Sequence, residues 1–179
     1  MPGNTTPAYS LVSRLLHWIM VPLVWGLFGL GLYMTSLDYY HAWYHAAPWW
    51  HKSFGLLVLA LLVIRLGWTL IQGKPPSLAN HAPWEMLAAR ITHALLYQLL
   101  LLICATGYLI ATLKGQGIAF FGILEIPAII ESMEDPEDYI GRIHLWSAVI
   151  LIILSLLHAL AALKHHFVDR DSTMKRMLG

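Results

Sequence analysis

The sequence predicts an all-α integral membrane protein, a four-helix transmembrane bundle with N-terminus and C-terminus cytoplasmic. Three observations lead there. Of 179 residues, 58% are hydrophobic and 12% charged, against about 25% charged in a soluble domain. The charges cluster and leave apolar runs at 15–37, 53–73, 91–113 and 143–163, each 21 to 23 residues long. About 20 residues cross a bilayer as a helix, so four crossings use nearly the whole chain, and 1–179 reads as one domain. With the N-terminus inside, Arg14, Arg65, Lys74, Arg90, Lys164, Arg170, Lys175 and Arg176 fall on the inner side. Only Lys52, Lys114 and Arg142 then fall outside, and this asymmetry matches the positive-inside bias. The net charge of +1 conceals it, and nothing suggests nucleic acid.

Helix one, 15–37, carries no formal charge. It lacks a basic leader and a small-residue cleavage site, so it reads as a retained span rather than a signal peptide. The outer connection "TSLDYYHAWYHAAPWW" is rich in Tyr and Trp, rings that favour the headgroup region. His41 and His45 lie there at i, i+4 with no third ligand nearby, so they read as solvated. Helix two, 53–73, is interrupted once, by Arg65. The inner connection "QGKPPSLANHAPWE" carries the breakers Gly73, Pro75, Pro76 and Pro83, and His81 in it reads as structural or idle. Helix three, 91–113, contains Cys104, the one cysteine, which reads as an apolar filler. A single Cys excludes an intramolecular disulfide, a Cys-rich iron–sulfur site and C-x-x-C-H haem attachment. The second outer connection holds the acidic run "ESMEDPEDY", with a short surface helix expected before Pro136. Across the outer side three cations face seven acids, a balance of −4.

Helix four poses the chemical question, because His144 and His158 stand inside a run of 21 uncharged residues. An ionisable ring in hydrocarbon is costly unless its nitrogens are occupied. Fourteen residues at about 100° each come within about 40° of four whole turns, so both rings share one face, about 21 Å apart along the axis. His51 opens helix two at the depth of His144. His17, three residues after Arg14, matches His158 at the inner end. The four intramembrane histidines thus sort into two depth-matched pairs. A zinc site wants three or four ligands at one level. Two stacked pairs suit a flat cofactor with one axial imidazole on each side, and that cofactor is haem.

The surroundings agree. Gly55 follows His51 by one turn, and Ala161 and Ala162 follow His158. Arg65 shares the His51 face near the inner level, where it either pairs with a propionate or quinone headgroup or snorkels to the interface. Lys52 and Arg142 are candidate propionate partners at the outer face. His93, at the inner end of helix three, falls outside the two depth-matched histidine pairs. It is open to a propionate, to a quinone pocket or to helix cross-linking. His165 and His166 follow the last span and read as interfacial.

The motifs "RLLHW", "HKSFG", "THALLYQLLLLICATGYL" and H-x13-H running into "ALKHHFVDRDSTMKRM" resemble the bacterial cytochrome b561 family of four-helix, di-haem membrane proteins. The likeness spans essentially the whole chain. It implies two non-covalent, bis-histidine b haems, the inner on His17 and His158 and the outer on His51 and His144. It also implies a multi-pass protein of the bacterial inner membrane that exchanges electrons with quinone. With both axial positions taken, substrates cannot reach iron, and the expected chemistry is outer-sphere electron transfer to an outer-side donor or acceptor. Arg65, His93 and His165 are the candidates for the quinone pocket. The alternatives are a haem-bearing anchor or conduit for a separate redox partner, and a superoxide:quinone oxidoreductase. The outer balance of −4 opposes the last by repelling an anion. A transporter with a proton-relaying histidine chain and no haem is the remaining rival.

Overall fold

The computed structural model describes residues 8–73, 75–76, 82–129 and 137–179. Lys74, His81, the acids Glu131, Glu134 and Asp135, and the helix expected before Pro136 lie outside them.

Four long helices form where the apolar runs stand: α1 Leu11–Thr35, α2 Ala46–Gln72, α3 Pro83–Thr112 and α4 Glu137–Phe167. Each is long and apolar enough to span a membrane. At 1.5 Å per residue they reach about 37–46 Å, beyond the about 30 Å of hydrocarbon, so their ends project into the headgroup region. The ends are set by local chemistry. Ser10 caps α1 by accepting from the Ser13 N–H at 3.3 Å. Pro83 sits at the start of α3, where its missing N–H costs nothing, and the Ala82 N–H donates to Glu85 Oε2 at 3.1 Å. Gly73 ends α2 with φ +72°, a conformation open to glycine. Pro22 lies inside α1, tolerable in a span where neighbouring groups satisfy the freed carbonyl.

The helices pack as two hairpins, α1 along α2 and α3 along α4, joined by α2 against α3, while α1 and α4 meet only slightly. Little of each span is buried inside the protein, leaving the rest to lipid. The interior is a mid-depth cluster of Met20, Val58 and Leu62, with Leu23, Leu66 and Leu100 packed against it. The start of α1 and the C-terminal tail lie together at one end of the bundle, the terminal end. The opposite, hairpin end carries the two connections expected outside.

The hairpin end contains one departure from the all-helical expectation. Ile118–Phe120 (β1) and Leu124–Ile126 (β2) pair antiparallel, Ile118 opposite Ile126, around a turn with Phe121 and Gly122 at positive φ. Ser53, fully buried, fastens this small ribbon to α2: its hydroxyl donates to the Ala119 carbonyl at 3.3 Å and accepts from the Phe121 N–H at 3.1 Å. Phe121 packs edge-on against Trp49, Trp50 and Phe54.

At the terminal end the chain folds back after α4 into a short helix, α5 Lys175–Leu178. The Tyr9 N–H donates to the Arg176 carbonyl at 3.1 Å, and the Trp18 indole donates to the Met177 carbonyl at 3.0 Å. Arg176, 8% exposed, donates to the Pro76 carbonyl at 2.9 Å and lies over the Tyr9 ring. Arg14 touches Gly179. These contacts close the tail over the start of α1.

Candidate functional site

At the hairpin end α2 presents His51 and α4 presents His144, with ring centroids 6.2 Å apart and planes at 68°. His144 is oriented by α3. Its Nδ1 lies 3.0 Å from the Ile103 carbonyl and 3.1 Å from Thr106 Oγ1. A carbonyl only accepts, so Nδ1 carries the proton and Nε2 keeps its lone pair. His51 Nδ1 is buried, with the Leu27 carbonyl beside the ring as its backbone neighbour. Each ring rests against a glycine of a neighbouring helix. A Cβ on Gly31 of α1 would stand 3.2 Å from His51 Cε1, and one on Gly107 of α3 would stand 3.0 Å from His144 Cε1.

Both rings line a cavity of about 100 Å³ that is walled by all four helices and by Ile118 of β1. Lys52, Cys104, Tyr108 and Ala148 line it. So does Gly55, where an added Cβ would meet open space. Tyr108 also ties down the second connection, donating to the Pro127 carbonyl at 2.6 Å and accepting from the Ile129 N–H at 3.2 Å. These residues fit a flat, largely apolar, metal-centred ligand. Two imidazoles trans on one metal, with bonds of about 2 Å and about 1.1 Å from nitrogen to ring centre, have centroids about 6.3 Å apart.

The terminal end gathers His17, His93, His158 and Arg65. Arg65, His158 and His93 are electrostatic neighbours of His17, and Arg65 also neighbours His158. Arg65 turns into the bundle and bridges α1 and α3, its Nε donating to Tyr97 Oη at 2.9 Å and its Nη1 to the Ser13 carbonyl at 3.3 Å. The His93 ring meets His158 edge-on with centroids 5.1 Å apart, closer than two trans ligands stand. His93, unassigned by depth alone, therefore belongs to this cluster.

The other sequence candidates lie elsewhere. His165 faces Asp169 at 2.7 Å and Asp171 at 3.5 Å. It stands in a polar cluster where Lys164 bridges Glu85 at 2.9 Å and Asp169 at 2.7 Å. The hydrogen bond from Lys164 holds the Asp169 carboxyl below its ordinary range. Glu85, His165 and Asp169 are spaced to hold a cation, but the Lys164 ammonium already bonds both carboxylates. His41 and His45 contact Tyr33, Tyr39 and Tyr44 edge-on, as an aromatic headgroup loop would have them. Arg142 and Ala161 are exposed. Sequence reasoning missed Gly31, Thr106 and Gly107. The only signal was that Thr106 and Gly107 sit together in the helix-three motif, and small residues are common in membrane helices for packing alone.

The family model for prokaryotic cytochrome b561 matches residues 8–179. The chain is 44% identical to cytochrome b561 homolog 2 of Escherichia coli K12, over 98% of its own length and 94% of that protein. It is 28% identical to a Yersinia pestis protein named "Probable superoxide oxidase CybB", over 95% of each chain. It is also 28% identical to cytochrome b562 of Cereibacter sphaeroides, over 96% of each.

Proposed function

The chain belongs to the prokaryotic cytochrome b561 family, and on that premise we propose that it is a di-haem electron carrier of the bacterial inner membrane. In this reading both termini are cytoplasmic. Electrons pass between the quinone pool at the terminal end and a donor or acceptor at the hairpin end. The observation that carries the reading is the 6.2 Å separation of the His51 and His144 rings across a cavity walled by all four helices.

His51 and His144 would hold one b haem, His17 and His158 the other. The close edge contact of His93 on His158 favours His17 as the trans partner at that end. When bound, haem supplies a one-electron couple. The protein's own contribution is to offer imidazole lone pairs, with the His144 ring held by α3, to exclude water with the apolar walls, and to place Lys52 beside the cavity as a propionate partner. Pyridine-haemochrome assay of the purified protein is expected to give two b haems per chain, removable by acid–acetone. A colourless protein from haem-sufficient cells overturns the reading in favour of a proton-relaying histidine chain.

Arg65, with His93 and His165 as lesser candidates, is assigned to the quinone pocket or a propionate at the terminal end. A fixed cation there favours the reduced, more negative state of a nearby haem. Arg65→Leu is therefore expected to lower that haem's midpoint and slow quinone-linked reduction about tenfold or more, the scale of one lost charge-assisted hydrogen bond. The other midpoint should stay put. A redox titration with stopped-flow quinol kinetics checks both, and unchanged values return Arg65 to a structural strut between α1 and α3. Co-purification of a soluble redox protein would instead favour the anchor or conduit role. Rapid reduction by superoxide would favour the superoxide:quinone role despite the acidic outer balance.

A further inference from the structure

We propose that Thr106 tunes the donor strength of His144 and thereby sets the redox potential at the hairpin end. The proposal rests on the reading of His51 and His144 as axial ligands. Thr106, 6% exposed, has a single hydroxyl proton, and that proton is committed to the carbonyls of its own helix, Leu102 at 2.8 Å and Ile103 at 3.1 Å. Its oxygen is thus left to accept, and what it faces, at 3.1 Å, is the Nδ1–H of His144. With the Ile103 carbonyl at 3.0 Å, that N–H has two acceptors, one of them a side chain, whereas the backbone neighbour of His51 is the Leu27 carbonyl alone. The two sides of the site are chemically unequal.

Hydrogen bonding from the remote nitrogen of a ligating imidazole raises the ring's basicity towards the metal. The effect is larger when the metal carries more positive charge, because oxidised iron makes the Nδ1–H a better donor. A second acceptor on this proton therefore stabilises the oxidised state and lowers the potential.

A back-bonded threonine in a membrane helix is ordinary in itself, and the chain supplies its own control. Thr112, one third of a turn short of two full turns onward on α3, makes the same bond, donating to the Tyr108 carbonyl at 2.8 Å. Among the described residues its hydroxyl's hydrogen bonds go to carbonyls of its own helix, Tyr108 and Leu109.

The test uses the haem-loaded, full-length protein and spectroelectrochemical titration of Thr106→Val, Thr106→Ser and Thr112→Val. Thr106→Val should move one midpoint to more positive potential, lowering the oxidised-to-reduced ratio at fixed potential about two- to tenfold, the scale of one neutral hydrogen bond. The Ile103 carbonyl remains and keeps the shift partial. Thr106→Ser should restore the wild-type midpoint, and Thr112→Val should change neither. If the valine variant does not assemble, Thr106→Cys keeps the shape with a weak acceptor and should shift the same midpoint in the same direction. An unmoved midpoint with both haems present overturns the proposal. So does an equal shift in the serine variant, or a shift to more negative potential. A wild-type protein without haem instead overturns the ligand reading beneath it.

Discussion

His51→Ala and His144→Ala are each expected to strip the haem from the hairpin end, and the double variant is expected to lose no more than either single one. The two rings stand 6.2 Å apart and line one cavity, and in the proposed reading they would share one cofactor. Removing the second ligand of an already vacated site has nothing left to cost, and non-additivity is the signature of such a pair. His17→Ala and His158→Ala should behave the same way at the terminal end, and combinations drawn from opposite ends should add. A surviving five-coordinate haem in a single variant would appear as a high-spin signal at that end alone. Haem content and spin state across the four singles and the two same-end doubles decide it. If His51→Ala with His144→Ala removes both haems while each single removes one, the ligands have been assigned to the wrong helices.

Gly107→Val should empty the same end without touching a ligand. Even a Cβ at this position reaches 3.0 Å from His144 Cε1 and 3.4 Å from Nδ1. The ring has little room to retreat, because Ile103 and Thr106 hold its Nδ1 from the same helix. A branched side chain must therefore push the imidazole off axis or push α3 away from α4, an overpacking cost of about 1–3 kcal/mol. We expect loss or conversion to high spin of one haem in two, with the terminal-end spectrum intact. Gly107→Ala should be milder and keep the haem. Gly67→Ala, where an added Cβ meets nothing within 4 Å, should be silent. Full low-spin haem in Gly107→Val would mean that α3 does not cradle His144.

The helices were legible because hydropathy over 20 residues is a strong, local signal, and the depth of each histidine follows from counting along a helix. What depends on how helices turn about their own axes was not legible. His93 is an example: its depth was clear, but its contact with His158 depends on the rotation of α3 against α4. The small ribbon at 118–126 escaped because three-residue strands are too short for alternation to show. Its position depends on Ser53, 65 residues earlier in the chain than Ile118. The folded-back tail was hidden for the same reason, since Arg176 reads as a surface charge until Pro76 and Tyr9 surround it. Thr106 and Gly107 lay in view within a quoted motif. Their residue types are so common in membrane helices that only the ring beside them gives them meaning.

The Met20, Val58 and Leu62 cluster lies at mid-depth between the histidine pairs; these three side chains are aliphatic or thioether, and Tyr97 and Cys104 pack at its edge. In the proposed reading it would act as a dielectric septum. Charge moving from one end of the bundle to the other would cross it as a bare electron, without a compensating proton on the same path. Such a transfer does work against the membrane voltage or draws work from it, about 2.3 kcal/mol per 100 mV for a full crossing. The direction of flow is then a matter of energetics as well as potentials: polarising the membrane should bias the redox balance between the two ends. Replacing Leu62 with a hydrated side chain should weaken that bias by letting protons follow.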